Sequence, residues 1–156
     1  MDMEHNQILS ELLMIRSSVS GDFAALALGV GDGRLFRWTL VSGNETERSE
    51  TMMFGAGQGV GGLTIRVGRT IAWNDIDMGQ LLRECPLMLA ERLRTAVTAP
   101  VVVQRENRGV VLVGCRKGRL FTRDDMAAVT LASHRISKLT DAETVFGRLD
   151  KRGCNT

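Results

Sequence analysis

The sequence predicts an α+β fold, in which an antiparallel β-sheet of about five to six strands carries N- and C-terminal helices packed on one face. Two observations predict it. Apolar residues recur at helical spacing near both ends of the chain, and two pairs of apolar runs, each joined by turn residues, lie between them. Strands joined by short turns pair in antiparallel fashion. The helices at the two ends of the chain can then pack on one face of that sheet.

The N-terminal helix is predicted over about residues 4–19. Its apolar side chains recur every three or four positions, at Ile8, Leu12, Ile15 and Val19. A β-hairpin follows, because two apolar runs flank the turn sequence Gly31-Asp32-Gly33. On the second strand of this hairpin, alternation predicts that Phe36, Trp38 and Leu40 share one buried face.

A glycine-rich stretch, GAGQGVGGLTIRVGRT at residues 55–70, occupies the middle of the chain. A short strand over 51–54 is predicted to lead into it. Residues 61–67 are predicted to be helical, and Gly68 ends that helix in the left-handed conformation. Another strand ends at Asn74-Asp75, and residues 77–94 are helical or irregular with a break at Cys85-Pro86.

The last part of the chain predicts a second hairpin around residues 105–108 and a helix after Thr122. Thr122 and Asp125 resemble a capping box with Asp in place of the usual Glu or Gln. Apolar residues follow at helical spacing, at Met126, Val129, Ala132, Ile136, Leu139 and Phe146. We expect one domain over residues 1–148, a disordered tail over 149–156, and terminal helices apolar enough for a homodimer.

Composition and charge exclude several function classes. The 156 residues are 44% hydrophobic and 24% charged, and 20 basic against 18 acidic residues leave a net charge of +2. Scattered basic residues with so small a net charge do not indicate nucleic-acid binding. Residues 1–19 lack the apolar core of a signal peptide, and no apolar run reaches the roughly 18 residues that span a membrane. We therefore expect a cytoplasmic protein without membrane contact.

Metal-binding and redox residues are few. The three cysteines, Cys85, Cys115 and Cys154, stand at unrelated spacings, and with His5 and His134 they form no metal-ligand pattern. We expect no disulfide framework, no metal and no cofactor. Cys115 is predicted to be buried, and Cys85 to be a free, partly buried thiol.

The order of elements, together with the stretch GAGQGVGGLTIRVGRTIAWND, resembles a GAF domain over about residues 3–145. GAF sequences commonly combine a glycine-x-glycine-x-x-glycine turn, a short helix, a glycine before the next strand and an aspartate at the end of that strand. To within one position, these features match Gly57, Gly59, Gly62, Gly68 and Asp75. The stretch GRLFTRDDMAAVTLAS is similar to a GAF end. The resemblance implies a PAS-like α+β fold.

Three stretches, FRWTLVSGN, GVGG and CPLMLAERLRTAVTAPV, further resemble single-domain GAF nitrate receptors of the NreA type. This resemblance implies nitrate as the ligand and a cytoplasmic sensor histidine kinase of a two-component system as the partner. The implied ligand-binding residues are Trp38, Gly59, Val60, Gly61, Pro86, Leu87 and Leu89. Leu87 stands where an aromatic residue is expected, and Gly61 is expected to leave more room than a small side chain. These departures leave the choice of anion open.

The glycine-rich turn by itself indicates an anion smaller than a nucleotide. A helix start presents unpaired N–H groups and partial positive charge, and glycines let an anion approach the backbone closely. The stretch lacks the lysine of a phosphate loop, and Arg66 is expected to point to solvent. A singly charged, planar, weakly hydrated anion therefore suits the turn, beside the apolar side chains of Trp38, Leu87 and Leu89.

Other interpretations of the same residues stay open. The turn can serve tight folding alone, Trp38 can be core instead of a ligand contact, and Trp73 can belong to the core or to an interface. Some single-domain GAF proteins are free methionine-(R)-sulfoxide reductases, which need two cysteines at the pocket, and others bind cyclic nucleotides. Here only Cys85 can lie near the turn, and no polar cluster is present for a base. The residues therefore predict a binding domain and no enzyme.

Overall fold

The computed structural model describes residues 2–74 and 84–141. Its helices are α1 (Asp2–Ser18), α2 (Gly59–Val67), α3 (Pro86–Ala90) and α4 (Arg123–Asp141), with a 3₁₀ turn at Ser49–Thr51. Within these ranges every helix is too short or too polar to pass through a bilayer. The predictions for Asp75, Phe146, Cys154 and the tail at 149–156 lie outside the described residues.

Within the described ranges, six strands form one antiparallel sheet. They are β1 (Phe23–Val30), β2 (Leu35–Ser42), β3 (Met53–Gly55), β4 (Ile71–Trp73), β5 (Thr95–Val103) and β6 (Glu106–Cys115). Their order in the sheet is β3-β2-β1-β6-β5-β4. The central pair, β1 and β6, joins the β1–β2 hairpin to the β5–β6 hairpin. This arrangement confirms the predicted antiparallel sheet.

The terminal helices α1 and α4 pack on one face of the sheet, as predicted. Their buried side chains meet the residues of β1, β5 and β6 that point to this face, such as Leu26, Val97 and Val111. The helices contribute Ile8, Leu12, Ile15, Val129, Ala132 and Ile136. Burial of one such aliphatic side chain stabilises a fold by about 1.5–3 kcal/mol. This cluster therefore fixes both helices on the sheet.

The opposite face of the sheet is covered by α2 and α3. Because side chains alternate along a strand, β1 supplies Leu26 to the face under α1 and α4, and Ala25 and Ala27 to this second face. Buried residues of the second face include Phe23, Phe36, Trp38, Phe54, Val60, Cys85, Leu87 and Met88. This second cluster includes Val60 of α2, the helix that begins in the glycine-rich stretch.

Strand β2 contains a bulge that separates side chains predicted to lie together. Leu26 pairs with Leu40 and Ala27 with Trp38, so Thr39 is the extra residue. The bulge reverses the alternation of side chains beyond it. Trp38 therefore faces α2, whereas Leu40 joins the cluster under α1 and α4. The prediction of one shared face is wrong for Leu40.

Three predicted boundaries shift by a few residues. The second hairpin turns at Gln104 and Arg105, whose φ angles are 53° and 68°, so Glu106 already begins β6. Two consecutive left-handed residues are the geometry of a tight two-residue hairpin turn. The strand predicted over 51–54 is instead a 3₁₀ turn followed by β3, and α2 begins at Gly59.

Two helix ends form as the sequence predicts. Gly68 ends α2 with a φ of 76°, and its N–H donates to the carbonyl of Thr64. At the start of α4, the N–H of Asp125 donates to Oγ1 of Thr122 at 3.1 Å. The N–H of Thr122 donates in return to Oδ2 of Asp125 at 2.8 Å. The capping box is therefore confirmed with an aspartate in it.

A buried ion pair fixes the end of α3. Glu91 is fully buried, and its Oε1 accepts from the Arg116 guanidinium at 2.7 Å and from the N–H of Glu45 at 2.8 Å. Its Oε2 accepts from Oγ of Ser49 at 2.5 Å. Arg116 also donates to the carbonyl of Gly43 at 3.0 Å. These bonds tie the β2–β3 loop and the end of β6 to the residue that follows α3.

Candidate functional site

The glycine-rich turn is shaped by backbone conformations that favour glycine and by contacts that leave no space for a Cβ. Gly57 and Gly59 have φ angles of 83° and 67°, in the left-handed region. A Cβ on Gly62 would overlap the carbonyl oxygen of Gly55. The turn is closed by the N–H of Gly57, which donates to the carbonyl of Gly62 at 2.7 Å, and by Gln58, whose Oε1 accepts from the N–H of Gly55 at 3.0 Å.

The first turn of α2 presents buried N–H groups. The N–H of Gly62 is the first to be bonded within the helix, to the carbonyl of Gln58 at 3.0 Å. Those of Gly59 and Gly61 have no acceptor among the described residues, and both glycines are buried. A helix start carries about half a positive charge. Unpaired amides in a buried helix start can accommodate an anion.

The thiol of Cys85 lies against the amide between these two glycines. A Cβ on Gly59 would lie 3.1 Å from Cβ of Cys85, so the starts of α2 and α3 meet at this residue. The backbone N–H groups of Met88, Val60 and Leu87 act to lower the pKa of its thiol. The approach is close, because a Cβ on Gly59 would lie 2.8 Å from the carbonyl oxygen of Glu84. Burial raises the pKa of the Cys85 thiol, and the three N–H groups only partly oppose that effect. The sulfur is therefore a neutral, weak acceptor at pH 7.

An aromatic stack closes the site on the sheet side. The rings of Trp38 and Phe54 have centroids 5.2 Å apart, and those of Phe36 and Phe54 are stacked at 5.5 Å. A Cβ on Gly61 would lie 2.8 Å from Cζ of Phe54. The expectation that Gly61 leaves extra room is therefore wrong, since the Phe54 ring fills that space.

The predicted site residues divide into a buried and an exposed group. Trp38, Val60 and Leu87 lie in one buried cluster, beside the backbone of Gly59 and Gly61. Pro86 is exposed, and the Leu89 side chain is 54% exposed, so neither side chain belongs to that cluster.

Arg66 differs from its expected position. Its side chain is exposed as predicted, but a Cβ on Gly57 would overlap its guanidinium. The Arg66 guanidinium therefore lies over the glycine-rich turn. Its positive charge adds to that of the helix start.

Phe54 was not predicted to be a wall of the site, whereas the sequence did indicate that Cys85 can lie near the turn, as it does. The position of Phe54, one residue before the glycine-rich stretch, was a usable signal. The described part of the chain contains no group of His, Cys, Asp and Glu side chains that could hold a metal ion. Two cavities lined by described residues lie elsewhere, one of about 130 Å³ beside Phe36 and Asn107 and one of about 270 Å³ beside Arg69 and His134.

Solved structures resemble this arrangement over most of the chain. NreA from Staphylococcus aureus, in a form mutated in its nitrate binding site, has a TM-score of 0.69 at 25% identity, over 77% of this chain and 91% of that one. The GAF domain of a phosphoenolpyruvate-protein phosphotransferase from Coxiella burnetii has a TM-score of 0.80 at 13% identity, over 94% and 87% of the two chains.

The chain has a GAF fold.

Other GAF-like structures show that the fold alone does not decide function. A type II free methionine-R-sulfoxide reductase from Thermoplasma acidophilum is also similar, with a TM-score of 0.70 at 14% identity over 90% of this chain and 94% of that one. No protein-family model matches the chain. No curated protein matches it either. The likenesses to NreA and to GAF domains support a GAF-fold ligand-binding domain.

Proposed function

We propose that this GAF domain is a sensor of a small monovalent anion, with nitrate as the first candidate. The observation that carries the proposal is the buried start of α2. There the N–H groups of Gly59 and Gly61 have no acceptor among the described residues, and the side chains of Trp38, Phe54 and Leu87 surround them with apolar surface. The likeness to NreA, a protein with a nitrate binding site, supports the choice of nitrate.

The chemistry of these surroundings favours a weakly hydrated anion. Backbone amides offer short, charge-assisted hydrogen bonds, each worth on the order of 1.5–3 kcal/mol net. Apolar walls penalise an anion that holds its hydration shell strongly, such as phosphate. Two or three such bonds, set against the cost of desolvation, correspond to a dissociation constant of roughly micromolar to millimolar size.

Cys85 acts in this proposal as a gate for the central amide. Its neutral sulfur lies beside the first turn of α2, where the Val60 N–H acts on it. An anion is a stronger acceptor than a thiol, so it displaces the sulfur from this N–H on binding. The side chain of Cys85 then turns aside, and Val60 and Gly61 hold the oxygens of the anion together.

The proposed output is a signal to a cytoplasmic sensor histidine kinase of a two-component system, as the resemblance implies. The outer surfaces of the terminal helices expose Leu13, Met14 and Leu131, which are 51%, 56% and 57% exposed. These apolar side chains support α1 and α4 as the surface that contacts the kinase or a second copy of this chain. Purified kinase, assayed for autophosphorylation with this protein with and without nitrate, tests the proposed output.

Calorimetric titration tests the ligand. We expect nitrate to bind, nitrite and iodide to bind with different affinities, and phosphate to give no heat of binding. Trp38→Phe replaces the indole with a smaller ring and should weaken nitrate binding several-fold. The matched control is Leu35→Ala, at an exposed position of the same strand, which should leave nitrate binding unchanged. Trp38→Ala is less informative, because loss of a buried tryptophan costs about 3–5 kcal/mol of stability. Flat traces for all four anions would contradict the proposal.

A reductase function receives less support from the same geometry. A reductase of this kind needs a nucleophilic thiol and a second thiol near it. The two cysteines in the described ranges lie in different clusters on opposite faces of the sheet, Cys85 under α3 and Cys115 under the terminal helices. Burial raises the pKa of the Cys85 thiol, which makes it a poorer nucleophile at pH 7. The apolar cluster likewise offers little for the base of a cyclic nucleotide.

A further inference from the structure

A chain of hydrogen bonds runs from Trp73 through the interior to the start of α2. The indole Nε1 of Trp73 donates to Oγ1 of Thr98 at 2.8 Å, and the hydroxyl oxygens of Thr98 and Thr64 are 2.5 Å apart. Oγ1 of Thr64 donates to the carbonyl oxygen of Val60 at 2.7 Å. Both threonines are fully buried. The chain therefore connects β4 and β5 to the first turn of α2.

All bonds in this chain point in one direction. An indole N–H can only donate, and each hydroxyl has one proton to give. Because the proton of Thr64 goes to the Val60 carbonyl, the hydroxyl of Thr98 must donate to Thr64, while it accepts from Trp73. Donation thus runs from Trp73 to Thr98, then to Thr64, and ends at the carbonyl of Val60.

The end of this chain acts on the proposed anion site through a single peptide unit. The carbonyl of Val60 and the N–H of Gly61 belong to the same planar, conjugated amide. A hydrogen bond to the oxygen of an amide draws electron density from its nitrogen and makes its N–H a stronger donor. Successive donors in a low-dielectric interior strengthen each other by about 10–30% per bond.

We propose that Trp73, Thr98 and Thr64 are positioning residues for anion binding, which raise affinity by polarising the Gly61 N–H. This inference rests on the proposed function, since the value of a stronger N–H there depends on an anion that accepts from it. None of the three side chains needs to touch the anion. The same chain makes the indole of Trp73 a part of the site's electrostatics, although its side chain is only partly buried.

The test combines nuclear magnetic resonance of the Gly61 amide with calorimetry. Thr64→Val removes the bond to the Val60 carbonyl, Thr98→Val removes the donor behind it, and Trp73→Phe removes the first donor. We expect the Gly61 amide proton to move upfield in the ligand-free protein, and nitrate affinity to fall about two- to fivefold. The effect should be largest for Thr64→Val and smallest for Trp73→Phe. Thr64→Ser keeps the hydroxyl and should restore both values.

The matched control is Thr95→Val. Thr95 is a fully buried threonine of the same strand as Thr98. Its hydroxyl donates to the carbonyl of Arg119, so it takes no part in the series of hydrogen bonds from Trp73 to Val60. A structural role alone predicts that Thr95→Val and Thr98→Val act alike on the Gly61 amide, and such a result overturns the inference.

Two further results separate this inference from the proposed function. If the wild-type protein binds nitrate but Thr64→Val changes neither the amide shift nor the affinity, the chain has no role in binding and only the inference fails. If the wild-type protein binds none of the anions, the proposed function fails, and the role of the chain in affinity fails with it. Trp73→Phe, a conservative change at a partly buried site, keeps the test available if a threonine variant does not fold.

Discussion

At the residue scale, Cys85 combines two properties that usually oppose each other. Three backbone N–H groups act to lower the pKa of its thiol, as they do for many reactive thiolates, yet burial raises that pKa above its ordinary value. The amides therefore face a neutral group. A neutral sulfur is a weak acceptor, so under the proposed function the thiol would compete little with an anion for these amides.

The raised pKa of Cys85 predicts a loss of stability in alkaline solution. The unfolded chain releases the thiol proton near the ordinary value of about 8.5, whereas the folded protein retains it to higher pH. Because the folded state then binds more protons, the free energy of unfolding decreases as pH rises through this range. Urea denaturation at pH 7 and pH 10 should show a smaller decrease for Cys85→Ala than for the wild-type protein. Equal decreases would contradict the burial of this thiol.

Individual contacts of the site were only partly predictable from the sequence. Trp38, Val60 and Leu87 were predicted together, and they lie in one buried cluster. The contact of Phe54 with Gly61 depends on how sharply the intervening turn folds back, which no local pattern specifies. Leu89 was predicted to line the site, but its place on a five-residue helix, α3, exposes its side chain.

At the scale of elements, the capping box of α4 decides where the longest helix of the described residues begins. Although burial acts to raise the pKa of Asp125, hydrogen bonds from Thr122 and the Arg119 guanidinium hold that pKa below its usual range. The Asp125 carboxylate thus accepts from the N–H of Thr122 at the start of α4, and it also pairs with the Arg119 guanidinium at 3.0 Å.

Asp125→Ala should destabilise the protein by about 1 kcal/mol at pH 7, because the cap and the pairing with Arg119 are both lost. The neighbour Asp124 lies in the same helical turn and is exposed, so Asp124→Ala is the matched control and should have a smaller effect. The lowered pKa means that the contribution of Asp125 is complete above about pH 4 and disappears as pH falls through its folded-state pKa. Thermal unfolding at pH 7 and pH 3 measures both effects. A difference between the two variants that persists unchanged at pH 3 would show that the carboxylate is not the cause.

Elements with long periodic patterns were predicted well, and those set by single residues were not. The terminal helices, both hairpins and the Gly68 helix end follow from spacing and turn chemistry. The bulge at Thr39 could not be predicted, since it arises where the register of β2 on β1 shifts, and both registers satisfy the local alternation. The strand predicted over 51–54 begins two residues late for a different reason, since Thr51 belongs to a 3₁₀ turn that no local pattern indicates.

At the scale of the whole molecule, the buried pair of Glu91 and Arg116 joins segments far apart in sequence. The carboxylate binds the loop at 45–49, and the guanidinium reaches Gly43, while Arg116 itself follows β6. Glu91, the residue that follows α3, is therefore held against the end of β6, a central strand of the sheet.

Glu91→Ala should destabilise the protein by roughly 3–5 kcal/mol, because the largely buried Arg116 guanidinium would keep only its longer contact with Glu45 at 3.5 Å, and Ser49 would lose its acceptor. Glu47→Ala is the matched control, since Glu47 is exposed in the same loop, and it should change stability little. Denaturant-induced unfolding of the three proteins compares these costs. Similar midpoints for Glu91→Ala and Glu47→Ala would mean that the buried pair does not support the fold.

The order of the strands has a consequence for how copies of this protein can meet. The two outermost strands, β3 and β4, are only three residues long. Edges this short offer few unpaired backbone groups to a strand of another chain, so they protect the sheet from growing into aggregates or fibrils at high concentration. The proposed contact through α1 and α4 would use a surface that no strand edge provides.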